Sequence, residues 1–324
     1  IITVPIDQAV GATSVVVNAG CVRNRGVEIS ARFQPVKTKE FEWTISANWS
    51  KNWNKLVELA DGVAMWNLNP NITVGGNIYI RAYPGTELGR LYGRGYERAP
   101  EGAFYVDADG SYVDCSNQII VDAETGSARL TSTEDELLDL GSIYPDWTAG
   151  MSHSLSYKGF RLGLSFSAQW GGKTYSMTHF ALAYQGKLKN SLKGRYAGMI
   201  VPGVNLNENG TYSKNTTITT DIVDHYTNYV YARENAEENV FDTSFLKLKE
   251  LRLEYSLPRH LCSKTRVFQG ITVGVYATNL FCWTNFPLYD PEAGYAVGSS
   301  ISRGIEAGAY PMTRTYGINL KLDF

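Results

Sequence analysis

The period of the last fifteen residues constrains this chain more than any other feature. Tyr310, Met312, Tyr316, Ile318, Leu320, Leu322 and Phe324 fall on one side, interrupted only by Arg314. Thr313, Thr315, Gly317, Asn319, Lys321 and Asp323 fall on the other. A strict period of two means a strand with one apolar and one polar face. An apolar face this long, ending on the final aromatic, suits a strand against lipid rather than a small soluble core.

The pattern recurs upstream. Val27, Ile29, Ala31 and Phe33 alternate with Glu28, Ser30, Arg32 and Gln34, and after a link at 35–40 comes the strongest segment. There Phe41, Trp43, Ile45, Ala47 and Trp49 alternate with Glu42, Thr44, Ser46, Asn48 and Ser50. About ten such residues, tilted by roughly 40°, cross an apolar band of about 25 Å. From Trp147, Ala149, Met151, Leu155 and Tyr157 oppose Ser152, Ser154 and Ser156, with His153 anomalous on the apolar side. Phe160, Leu162, Leu164, Phe166, Ala168 and Trp170 oppose Arg161, Gly163, Ser165, Ser167 and Gln169. Across 243–256 the phase changes: Leu246 and Leu248 are even, Leu251, Leu253 and Tyr255 odd, which predicts a bulge near Lys249 and Glu250. Ile271, Val273, Val275, Ala277, Phe281 and Trp283 mark one more strand.

Connections sort by length. Those at 35–40, 157–160 and 257–270 are short, while those at about 54–146, 171–243 and 284–309 are long. Short turns at one end and long loops at the other are the arrangement of outer-membrane barrels. No stretch approaches the roughly 18 apolar residues of a helical span, and a barrel needs none. The 21 Tyr and 7 Trp are numerous enough for interfacial aromatic belts, though a Tyr-rich soluble β protein has them too. A net charge of -2 gives no general grip on nucleic acid.

Catalytic and metal signatures are missing. Cys21, Cys115, Cys262 and Cys282 lack metal spacing and read as isolated thiols, and His153, His179, His225 and His260 form no ligand set. Between positions 99 and 146 stand eleven acids and one base, Arg129. Within this run Asp107 to Asp114 partly matches a calcium loop, but Tyr112 occupies the position that needs Gly, so a plain Asp-Gly turn is expected. No catalytic residue, cofactor or metal ligand is assigned. For binding, the loop aromatics Trp66, Tyr79, Tyr83, Tyr92 and Tyr96 are the candidates, as rings able to stack on sugars or grip peptide side chains, or simply to pack the loops.

Five segments resemble one family. Residues 18–28, NAGCVRNRGVE, resemble its N-x-G-x-V-x-N-x-G-V-E hairpin, and 141–147, GSIYPDW, its G-x-x-Y-P-D-[FW] strand entry. Residues 238–250, ENVFDTSFLKLKE, with YSLP at 255–258, are similar to its FDASFLKLRE…YSLP block. TNLFCWT at 278–284 with YDPE at 289–292, and PMTRTYG at 311–317 before the terminal Phe324, complete the set. In order and together, these segments resemble the SusC/RagA family of TonB-dependent outer-membrane transporters. The resemblance implies an all-β chain: the C-terminal portion, about 7–8 antiparallel strands, of a large 22-stranded transmembrane β-barrel with long extracellular loops. The plug domain and N-terminal strands are absent from this chain, which reads as part of a longer precursor. It further implies import of oligosaccharides or peptides, with no enzymatic activity, in the outer membrane of Gram-negative bacteria. The implied partners are the remainder of the barrel and its plug, a SusD-like surface lipoprotein as lid, TonB–ExbB–ExbD and outer-membrane lipid. Phe324 is then expected to serve as a barrel-assembly signal. A small independent outer-membrane barrel or adhesin with large surface loops, and a soluble surface β-sandwich, are the alternatives.

Overall fold

The structure, a computed structural model, describes residues 2–5, 9, 11, 14–17, 20–68, 78–132, 136–262, 264, 267–292, 295–297 and 300–324. The opening residues of the first family-like segment, Asn18 and Ala19, lie outside these. Seven long strands dominate: β1 (Gly20–Lys37), β2 (Phe41–Leu59), β3 (Trp147–Tyr157), β4 (Phe160–Trp170), β5 (Phe245–Ser256), β6 (Gly270–Thr284) and β7 (Thr315–Asp323). Each pairs antiparallel with the next in chain order, giving one seven-stranded meander.

Register turns the alternation into continuous rows. Phe33, Ile45, His153, Leu164, Leu251, Ala277 and Tyr316 are mutual partners across all seven strands. The row one residue further on, Thr44, Ser154, Gly163, Arg252, Tyr276 and Gly317, is polar or small. A slip of one residue in any strand would send its oily side chains to the wet face, so the two-sided pattern sets the register. At Gly317 the polar face has no room for a Cβ, which would sit 2.4 Å from the Tyr276 ring.

The expected bulge is present at Lys249. Phe166 pairs with Leu248 and Ser165 with Glu250, so Lys249 is the extra residue. It returns Leu251 and Leu253 to the face that already carries Leu246 and Leu248. On β6 the answering irregularity falls at Asn279, whose φ is 53°. His153 also has an account: Nδ1 accepts a hydrogen bond from Trp43 Nε1 at 3.3 Å, with the two rings stacked. Each polar nitrogen thereby satisfies the other on an otherwise oily surface.

Strand ends differ from the sequence reading in three places. β1 continues through Pro35 to Lys37, a bulge between Phe33 and Val36 absorbing the proline. β2 runs to Leu59 because pairing outlasts the hydropathy alternation: beyond Ser50 polar and apolar residues mix on both faces, yet the ladder with β1 persists. The terminal strand starts at Thr315 rather than 310, since β6 is distorted at Asn279, whose Nδ2 donates to the Thr313 carbonyl at 3.1 Å.

Aromatics gather at both ends of the apolar face. Trp49, Trp53, Trp147, Trp170 and Trp283 lie toward the long loops, Trp147 and Trp170 stacked at 6.5 Å. At the turn end Phe160 meets Tyr255 at 4.4 Å, Phe41 meets Tyr157, and Phe324 meets Phe268 at 5.2 Å. Two girdles bounding an oily band are what a membrane-spanning sheet presents to lipid.

Candidate functional site in the loop cap

The three long connections fold into one cap over the loop end of the sheet. Lys173–Ser176, from the second, pairs antiparallel with Val240–Asp242 and parallel with Ile305–Glu306 of the third. Ile78, Ile80 and Leu91 of the first connection share a core with Tyr175 and Ala236 of the second and Ile305 of the third. A short helix, α1 (Met177–Tyr184), starts on Ser176, whose Oγ accepts from His179 N.

In the first connection, Trp66–Asn67, Ile78–Ala82, Arg90–Gly93 and Leu138–Ser142 form a four-stranded sheet. Alternation divides it. Ile78, Ile80, Ala82 and Leu91 enter the shared core, while Tyr79, Arg81, Arg90 and Tyr92 occupy the other face. Tyr79 pairs with Tyr92 and Arg81 with Arg90, so rings face rings and guanidiniums face guanidiniums. Arg81 lies over the Tyr79 ring at 4.0 Å, and Tyr83 meets Tyr92 edge-on at 5.4 Å. Arg90 donates from Nε to Asp139 Oδ2 at 2.7 Å and lies 3.6 Å from Glu87. That hydrogen bond to Asp139 holds the guanidinium above its ordinary pKa, and burial raises the Tyr92 phenol. The result is a half-buried face of flat rings, with the Arg90–Asp139 ion pair at its border and Arg81 buried, its Nε without a hydrogen-bond partner among the described residues.

The other two expected binding residues are placed differently. Trp66 is half-buried and opposite Ala82, on the core side of the sheet. Tyr96 is only 5% exposed, packed with Val121, Ala128 and Val201, and its hydroxyl donates to Glu238 Oε1 at 2.9 Å. Its ring is a core ring, so it leaves the set of stacking candidates. Burial raises the Glu238 carboxyl, as expected for an acid enclosed beside a phenol. Phe324 is 73% exposed at the turn end of β7.

Two polar knots tie the third connection down, and neither was picked out from sequence. Lys247, on the polar face of β5 and 4% exposed, donates to Asp290 Oδ1 at 2.6 Å and to Glu292 Oε2 at 2.5 Å. Lys249 reaches the same Glu292 at 3.1 Å. Glu306, fully buried, accepts from Ser176 Oγ, Thr178 Oγ1 and Tyr289 OH, each at 2.6 Å. Burial alone would raise the Glu306 pKa, but these hydroxyls hold it below the ordinary carboxylate value. Lys247 and Asp290 belong to two of the family-like segments, so the signal was present as separate patterns and not as a pair.

Elsewhere, Asp107 to Asp114 forms a plain hairpin, with Gly110 at φ 84° and Ser111 N bonded to Asp109 Oδ1. The cysteines are free thiols, and no group of three or more metal-binding side chains occurs among the described residues.

Comparison with known proteins places this architecture. No protein-family model matches the chain. A TonB-dependent receptor, P3, of Formosa agariphila is 26% identical over 331 residues, covering 99% of this chain and 30% of the receptor. The TonB-dependent receptor SusC of Bacteroides thetaiotaomicron is 23% identical, covering 95% of this chain and 27% of SusC. The structure of the RagAB peptide transporter matches 99% of the chain with a TM-score of 0.66 at 21% identity. The chain thus has the fold of part of the RagAB transporter and is similar in sequence to TonB-dependent receptors over nearly its whole length. It spans about 30% of the length of the SusC-like receptors it matches. The apolar rows between the two girdles have the form of a lipid-facing barrel surface.

Proposed function

We propose that this chain supplies the closing strands and a substrate-facing cap to a TonB-dependent outer-membrane importer of oligosaccharides or peptides in a Gram-negative bacterium. The observation that carries this reading is the union of one oily sheet face between two aromatic girdles with three long connections packed into a single cap at one end. An open sheet in a bilayer would leave the outer edges of β1 and β7 without hydrogen-bond partners, so the chain works only with the rest of its barrel. That argues against a small independent barrel. The cap end faces outward and the turn end the periplasm. The polar rows, with Glu42, Ser46, Asn48, Ser165, Gln169, Asn319 and Lys321, face the plug or a wet lumen through which a hydrophilic solute passes.

Within the cap, the Tyr79, Tyr83 and Tyr92 face with Arg90 and Asp139 is the ligand-contacting surface, with Arg81 buried against the Tyr79 ring. Ring faces bind the apolar side of a sugar or a peptide side chain, and the bordering charges bond hydroxyls or amides. A SusD-like lipoprotein covers this cap, and TonB–ExbB–ExbD drives release from below through the plug. The test uses the full-length importer with a panel of oligosaccharides and peptides, measuring binding by calorimetry. Tyr79→Ala with Tyr92→Ala should weaken binding of the transported class by about tenfold, from roughly 0.5–1.5 kcal/mol per ring contact. Unchanged affinity for every ligand that the parent binds would remove this face from the reading.

A further inference from the structure

The outward side of β1 and β2 changes character within and just above the outer girdle. By alternation from Val27, Ile29, Ala31 and Phe33, the outward residues further up β1 are Arg25 and Arg23. By alternation from Ala47 and Trp49, those further up β2 are Lys51, Trp53 and Lys55. Register brings them together: Val27 pairs with Lys51, Arg25 with Trp53 and Arg23 with Lys55. The Lys51 ammonium lies 5.1 Å from the centre of the Trp53 ring. None of these four cations is in an ion pair with a described residue. Glu28, opposite Ser50, lies on the polar face, and the nearest acid on the outward face, Glu58 opposite Cys21, stands one step further out.

Directly beneath, toward the middle of the bilayer, the same face has a hollow of about 530 Å³. Ala31, Ala47, Ala149 and Ala168 form its floor, with Met151 and Phe166 among its walls. Small residues on four adjacent strands leave this depression, while the rows below it carry Trp43, Leu155, Leu162 and Leu253. Successive outward residues are about 6.6 Å apart along a strand, or about 5 Å in height at a 40° tilt. The hollow therefore lies within the outer leaflet, and the four cations lie at and above headgroup level.

We infer that this surface binds one outer-leaflet lipid with a phosphorylated headgroup, its phosphates on Arg23, Arg25, Lys51 and Lys55 and an acyl chain in the alanine hollow. The inference rests on the membrane orientation in the proposed function. Charge complementarity selects the lipid: four uncompensated cations at headgroup height attract phosphate, and a hollow below them accepts a chain from the same molecule. Ordinary snorkelling lysines anchor a barrel without any hollow and select no lipid.

The test is native mass spectrometry of the full-length importer, purified from outer membranes, delipidated in detergent and titrated with purified lipid A or with dephosphorylated lipid A. The expected result is a one-to-one adduct with the phosphorylated form. The variant R23Q/R25Q/K51Q/K55Q should weaken it by about a thousandfold, given the roughly 1 kcal/mol that each basic residue adds near an anionic surface. Ala149→Phe, which fills the hollow, should weaken it independently, and inorganic phosphate should not displace the lipid. Equal binding by the quadruple variant, equal binding of dephosphorylated lipid, or displacement by phosphate would each overturn the assignment. Heat-modifiable migration of the variants on gels verifies that the barrel is folded. Failure to find the parent protein in the outer-membrane fraction would instead overturn the proposed function.

Discussion

Lys247 and Asp290 stand 2.6 Å apart, a cation on the polar face of the barrel wall and an anion on the loop that folds back over it. Both side chains are almost fully enclosed, at 5% and 9% exposure. Glu292 joins them, and burial that would raise its pKa is outweighed by the Lys247 and Lys249 ammoniums, which hold it below the ordinary value. A loop that belongs to the cap is thus bolted to the polar face of the sheet.

Removing one partner of an enclosed pair leaves the other charge uncompensated, at a cost of about 3–5 kcal/mol. Lys247→Met or Asp290→Asn should therefore free the third connection and make it the first site of limited proteolysis in the folded barrel. The double variant K247M/D290L should be less disturbed than either single change, because it leaves no orphaned charge there. Equal cleavage of parent and single variants would mean that the ion pair does not hold the loop.

Glu306 sets a pH limit on the same loop. Its folded-state pKa is depressed, so its contribution is complete above the unfolded value of about 4.3 and is lost as pH falls through the folded one. Glu292 is depressed as well and acts in the same direction. Protection against hydrogen exchange in 300–309, taken relative to the unfolded rate at each pH, should be high at neutral pH and fall only in strongly acidic buffer. Glu306→Gln should exchange faster already at neutral pH and lose most of the acid-dependent step.

The bulge at Lys249 makes a sharper test of the wall itself. Inserting one alanine after Lys249 shifts everything beyond it by one place along β5 and so turns Leu251, Leu253 and Tyr255 to the polar face. The expected outcome is a full-length protein that fails to acquire heat-modifiable migration, whereas Lys249→Ala, which keeps the count, assembles normally.

How far the chain could be read before folding follows from the length of its elements. Seven strands were legible because nine or more residues carry each alternation, and the phase change from Leu248 to Leu251 located the bulge. The cap was not. Its strands are two to five residues long, too short for period two to rise above chance, as Trp66–Asn67 and Ile78–Ala82 illustrate. The pairs Tyr79/Arg81 and Arg90/Tyr92 share a face only once those segments are known to be strands. The upper end of β2 was missed for the opposite reason: Lys51 and Lys55 face outward and Asn52 and Asn54 inward, so an element persists where hydropathy shows no contrast. Contacts such as Lys247 with Asp290, 43 residues apart, are set by the path of a loop and leave no local trace.

Phe324 closes the last strand, and two roles for it predict different results. As a girdle ring it packs against Phe268 at 5.2 Å, and its loss would cost no more than one exposed aromatic contact. As an assembly signal it would be read by position, at the end of β7, independent of that neighbour. Phe324→Ala and Phe268→Ala remove the same ring pair from opposite sides. If the contact is all that matters, both variants should lower the outer-membrane level of the full-length protein equally and slightly. The signal role predicts a severalfold loss for Phe324→Ala and near-parental levels for Phe268→Ala, measured by quantitative immunoblot of outer-membrane fractions. Phe324→Trp, which keeps an aromatic at the terminus, should restore the parental level under the second role.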